Sequence, residues 1–91
     1  MNMNAHDLVF FAGCKKRELN GGTILEFYKP ITGDGLGFND SRLSVRFGEH
    51  KNEAYHVYLI VPRCMIKISG VHDIHDFFTL YKLITGGGNE H

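Results

Sequence analysis

Hydrophobic and polar positions alternate most cleanly over Arg42-Leu43-Ser44-Val45-Arg46-Phe47. Leu43, Val45 and Phe47 point one way and Arg42, Ser44 and Arg46 the other, the two-residue period of a half-buried strand. Residues 54–61 read as a longer strand, with Tyr55, Val57, Leu59 and Val61 on one face and Ala54, His56, Tyr58 and Ile60 on the other. Pro62-Arg63 turns the chain into a last strand, Cys64-Met65-Ile66-Lys67-Ile68, which Ser69-Gly70 closes. Near the start, Leu8-Val9-Phe10-Phe11-Ala12 is apolar without alternation. It reads as a strand buried on both faces, with residues 14–19 extending it past a bulge at Gly13. Asn20-Gly21 is a hairpin signal, because a type I′ turn needs positive φ at both central positions. The return strand covers 23–28 and ends at Lys29-Pro30, where proline removes a ladder donor.

The period changes over 71–85. At 100° per residue, Val71, Ile74, Phe77, Phe78, Leu80, Tyr81 and Ile84 cover about half of a helical circumference. Gly86-Gly87-Gly88 ends this helix and Lys82 suits its negative end. The tail Asn89-Glu90-His91 is expected to be mobile. Short connections between successive strands favour antiparallel pairing. The pattern therefore predicts one small α+β domain over 1–91: an antiparallel sheet of four to five strands with one C-terminal helix packed on one face. Leu43, Val45 and Phe47 would lie under the helix with Tyr55, Val57 and Leu59, leaving the other sheet face partly open.

Composition narrows the functional classes. At 91 residues, with 43% hydrophobic and 22% charged positions, the chain suits one modest globular core. Ten basic and ten acidic residues cancel, so no global field steers the protein to nucleic acid or to an anionic membrane. Two cysteines fifty residues apart, Cys14 and Cys64, point to reduced thiols in the cytoplasm rather than to a disulfide framework. The first residues lack the pattern of a signal peptide, and no apolar run approaches the ~20 residues of a membrane span. No Ser-His-Asp, Cys-His or paired-glutamate set can be assembled, so neither catalysis nor a cofactor is expected. Cys64 is expected to be buried and inert. Cys14, beside Lys15-Lys16-Arg17, would have a lowered pKa if exposed.

The run His72-Asp73-Ile74-His75-Asp76 is the most suggestive string. Within a helix, His72, His75 and Asp76 would make a three-ligand metal set with an open position. The stronger reading makes Asp73 the N-cap and places Asp76 in the first turn, with His72 outside the helix and the shared face lost. The loop Gly33-Asp34-Gly35-Leu36-Gly37 resembles a phosphate loop only in its glycines, since a strand follows it and no Gly-Lys-Ser/Thr is present. As a long surface connection it makes Leu36 and Phe38 partner-contact candidates.

The leading expectation is a non-enzymatic binding protein, acting on a larger protein or complex as a small regulator, adaptor or inhibitor. Its size is compatible with an accessory factor of a phage or mobile element. Contacts are expected from Leu36 and Phe38 and from the open face, where Arg42, Arg46, His56 and Tyr58 gather, with an edge strand offering a route to a homodimer. The alternative is a nucleic-acid-binding module that stacks bases and holds phosphates on the same basic and aromatic face, joined by Lys67.

Overall fold

The computed structural model describes residues 3–86. Gly87, Gly88 and the tail at 89–91 lie outside the described residues, as do Met1 and Asn2. The chain forms α1 (Ala5–Phe10), β1 (Lys15–Leu19), β2 (Ile24–Pro30), β3 (Arg42–Phe47), β4 (Tyr55–Val61), β5 (Cys64–Ile68) and α2 (Ile74–Thr85). The strands make one five-stranded antiparallel sheet in chain order, β1-β2-β3-β4-β5. The architecture is the α+β sheet with a C-terminal helix that the periodicities predict. Phe77 of α2 is fully buried against Phe27, Leu43, Val45 and Val57, and Phe47 and Tyr55 pack at the margin of this core.

The start of the chain departs from expectation. Residues 8–10 belong to a helix, not a strand, with Phe11 as its C-cap, and Gly13 lies in the turn that follows instead of forming a bulge. Asn4 caps α1, its Oδ1 accepting the Asp7 N–H at 2.9 Å, and Asp7 lies in the first turn near the positive end of the helix. Leu8 and Ala12, four residues apart, face the core, whereas Phe10 and Phe11 are exposed. Gly13 takes φ +70° and the Cys14 N–H returns to the Leu8 carbonyl at 2.8 Å. Lys29 donates to the Ala12 carbonyl at 2.8 Å and lies over the Tyr81 ring, so one ammonium ties β2 to the turn after α1 and to α2. Leu8 of α1 and Phe77 of α2 enter the same core cluster, so both helices share one face of the sheet.

The turns follow their local chemistry. The β1–β2 connection has positive φ at Asn20, Gly21 and Gly22, a longer left-handed turn than the two-residue hairpin predicted. Pro62 and Arg63 join β4 to β5, Arg63 adopting φ +67°. Helix α2 starts three residues later than its apolar period. Asp73 is its N-cap in extended conformation and accepts from the Asp76 N–H at 2.9 Å, while Asp76 accepts from the His72 N–H at 2.9 Å. His72 is thus outside the helix, and both aspartates serve the helix start. Gly86 closes the other end at φ +70°.

Cys64 is exposed, contrary to expectation, and Cys14 is buried, so the exposure that would lower its pKa is not met. Burial pushes the Cys14 thiol up to about 12 despite nearby Lys29, so its thiolate is scarce. Cys64 is exposed because β5 is an edge strand with no neighbouring strand on its outer side among the described residues.

The core is small enough for one side chain to matter. Phe77→Ala is expected to cost about 3–5 kcal/mol, out of the roughly 5–13 kcal/mol typical for a domain of this length. Leu83→Ala, on the exposed side of α2, should stay within about 0.5 kcal/mol of the parent. Urea unfolding of the two variants checks this directly.

Candidate functional site

Register builds the open sheet face row by row. Arg17, Glu26, Arg46 and His56 are successive cross-strand partners on β1 to β4. The next row is Lys15, Tyr28, Ser44, Tyr58 and Lys67, and beyond it come Pro30, Arg42, Ile60 and Met65. Directly opposed charges of alternating sign attract across such rows. Arg42, Arg46, His56 and Tyr58 therefore do share the face that strand alternation assigns to them.

Their partners change what that face can do. Glu26, at 0% exposure, is the hub. Its Oε1 meets Arg17 Nη1 at 3.1 Å, and its Oε2 meets Arg42 Nε at 2.9 Å and Arg46 Nη2 at 3.6 Å. The Ser44 hydroxyl donates to the same Oε2 at 2.6 Å. Burial raises the Glu26 carboxyl, but Ser44, Arg42 and Arg46 outweigh it and hold the group below the usual glutamate value. A second carboxylate, Glu49, closes over the end of β3. It accepts from the Tyr58 hydroxyl at 2.7 Å, lies 3.2 Å from His56 Nδ1, and pairs with Arg46 Nη1 at 3.5 Å. Glu53 contacts the other His56 nitrogen and reaches Lys67 Nζ at 4.0 Å.

The aromatic rings are engaged as well. Arg42 lies over Tyr28 at 5.9 Å and Arg46 over Tyr58 at 5.4 Å. A base approaching this face would have to displace guanidinium groups that are already paired with carboxylates. Arg42 and Arg46 have side chains only 12% and 13% exposed, and the interior of the patch is electrostatically matched.

The glycine-rich loop 31–41 is internally hydrogen-bonded. Its base is closed by the Ile31 N–H on the Ser41 carbonyl at 2.9 Å, and Arg42 Nη1 holds the Gly35 carbonyl at 3.0 Å. Asp40 fills the position a phosphate would need. Its Oδ2 accepts the Gly37 N–H at 3.0 Å, and a Cβ on Gly33 would sit 2.4 Å from its Oδ1. An anion there would meet a carboxylate already in place.

The loop instead presents its apolar side chains. Leu36 is exposed and Phe38 is 78% exposed. Phe38 borders an open depression of about 430 Å³ with Arg42, Ile60, Arg63, Cys64 and Met65. This depression runs onto β5, where Met65 and Ile66 are also exposed. His56 and Tyr58, in contrast, lie inside the ionic patch, away from the Leu36 and Phe38 surface.

Sequence reasoning did not find Glu26, Glu49 or Glu53. Glu26 was detectable in principle, since alternation within β2 separates it from Phe27 and turns it toward the arginine face. Its pairing depends on the β2–β3 register, which the loop 31–41 sets and no local pattern encodes. No helix among the described residues is long and apolar enough to cross a membrane. Comparison with models of known protein families, with curated proteins and with solved structures finds no match.

Removing the hub should expose its role. Glu26→Ala leaves Arg17, Arg42 and Arg46 without their shared counter-charge, and a loss of about 3–5 kcal/mol is expected. Because the folded carboxyl is depressed, its contribution is complete above the unfolded value near 4.5 and fades as pH falls through the lower folded one. The stability gap between wild type and Glu26→Gln should therefore be constant near neutrality and narrow below about pH 4.5. Denaturant midpoints at several pH values would check it, and parallel curves down to pH 3 would contradict it.

Proposed function

We propose that this protein is a non-enzymatic, cytoplasmic binding module that acts as a small regulator, adaptor or inhibitor of a larger protein. The observation that carries this reading is the outer edge of β5. Cys64, Met65, Ile66 and Lys67 are consecutively exposed, and the Phe38 depression adjoins them. Proteins commonly blunt such edges with charge, proline or a covering element. Here Lys67 is the one charge within the strand, and proline stands only in the preceding turn.

An unpaired edge strand is completed by an extended backbone, so the fitting partner is a strand-like segment of another protein. Met65 and Lys67 share the face that carries the depression. The matching segment therefore carries an apolar side chain opposite Met65 and, two residues away, an acidic one opposite Lys67. Phe38 supplies an aromatic anchor of the kind that dominates interface energetics. The paired state of the arginines favours protein binding over the stacking of bases.

The test combines capture and exchange. Wild-type protein should retain a partner from host extract, and that partner should slow amide exchange along β5. Phe38→Ser with Met65→Glu should lose it while unfolding free energy changes by no more than about 1 kcal/mol for the pair. Retention of the same partner by the double variant would refute the edge as the binding surface. A concentration-dependent dimer abolished by the same variant would identify a second copy as the occupant, and a salt-sensitive oligonucleotide shift would favour the nucleic-acid alternative.

A further inference from the structure

The turn between β3 and β4 gathers side chains that the β5 edge does not use. We propose that Glu49, His50 and His56 form a binding site for a divalent first-row transition ion, zinc being the representative case. One donor atom from each residue lies within 4.8 Å of the others. Two imidazoles and a carboxylate are a nitrogen and oxygen donor set suited to such ions, and three protein ligands leave a fourth position for water.

His56 is the strongest sign. It is 4% exposed, with Glu49 against Nδ1 at 3.2 Å and Glu53 against Nε2. A neutral imidazole has one N–H and one lone pair. It can donate to one carboxylate only, and its other nitrogen then turns a lone pair toward the second. A metal ion on that nitrogen removes the conflict and leaves the remaining N–H hydrogen-bonded to a carboxylate, the usual outer-shell arrangement of a ligating histidine.

The surroundings hold the ligands in place. The Tyr58 hydroxyl and Arg46 fix Glu49 from beneath. His50 approaches from the exposed turn, its ring 4.6 Å from that of His56 and inclined by 69°. The cations facing the cluster, Arg46 and Lys67, are each engaged by carboxylates: Arg46 by Glu26 and Glu49, Lys67 by Glu53. Tetrahedral bonds of 2.0–2.2 Å place donor atoms about 3.3 Å apart. Binding therefore draws the turn inward, which exposed Lys51 and Asn52 leave room for. The site is separate from the His72-Asp73-Ile74-His75-Asp76 run, whose aspartates are committed to capping α2.

The experiment is titration of untagged protein with zinc, with cobalt(II) as a spectroscopic probe. One equivalent should bind with Kd below about 10 µM, cobalt should give the visible bands of a low-symmetry four-coordinate ion, and excess zinc at about 100 times Kd should raise Tm by roughly 10 °C. His50→Ala removes an exposed ligand without touching the core and should weaken binding at least about 10-fold. His56→Ala should do the same, but His50→Ala decides if that variant fails to fold. His72→Ala with His75→Ala should leave the affinity unchanged. Absence of stoichiometric binding would overturn the proposal, as would affinity unchanged in His50→Ala. Neither result bears on the β5 edge, which shares no residue with this turn.

Discussion

A sheet with both helices on one side must dispose of its other face, and here the buried carboxylate of Glu26 governs how. An isolated carboxylate taken out of water costs several kcal/mol, so Glu26 is tolerable only among Arg17, Arg42, Arg46 and Ser44. The cluster is not a large net source of stability, because the desolvation of the arginines opposes their attraction. Its main consequence is register. A one-residue slip of β2 would turn Glu26 into the apolar core and Phe27 out to the arginines. The central strand pairings therefore have one electrostatically acceptable alignment.

The same cluster limits what the face offers to a partner. Arg42 and Arg46 each pair with a carboxylate and lie over a tyrosine ring. Basic and aromatic groups that in sequence look like a landing surface are thus engaged by carboxylates and by one another, with only Arg46 Nε left buried without a partner among the described residues. Open contacts lie at the periphery: the β5 edge with Phe38 at one end of the sheet, and the β3–β4 turn with its histidines at the other. We propose partner binding for the first and metal binding for the second. The two use different residues and different chemistry.

Much of the architecture was legible because it rests on local periodicity. Alternation in 42–47 and 54–61 fixed strands and faces together, and Asp73 with Gly86 bounded α2 more tightly than its apolar stripe did. The helix α1 was not legible from its apolar run, since Leu8 to Ala12 offers five consecutive apolar residues and no visible period. Its true signal was Asn4 with Asp7, a cap and a first-turn acid. Only Leu8 and Ala12 of the run need burial, and Phe10 and Phe11 are left in solvent. Cys64 was misplaced because it stands on an edge that sequence cannot distinguish from a central strand, while Cys14 follows that helix into the core. The functional residues divide in the same way. Arg42, Arg46, His56 and Tyr58 could be assigned to a face, but the carboxylates that engage them come from other strands and turns, brought in by long-range register.

The most direct test of this picture is an NMR titration of the Glu26 side-chain carboxyl in the intact protein. A carboxylate held by guanidiniums and the Ser44 hydroxyl should titrate below the ordinary glutamate value, and Arg42→Ala should move it back upward. A Glu26 carboxyl that titrates at or above the ordinary value, unmoved by that substitution, would contradict the account.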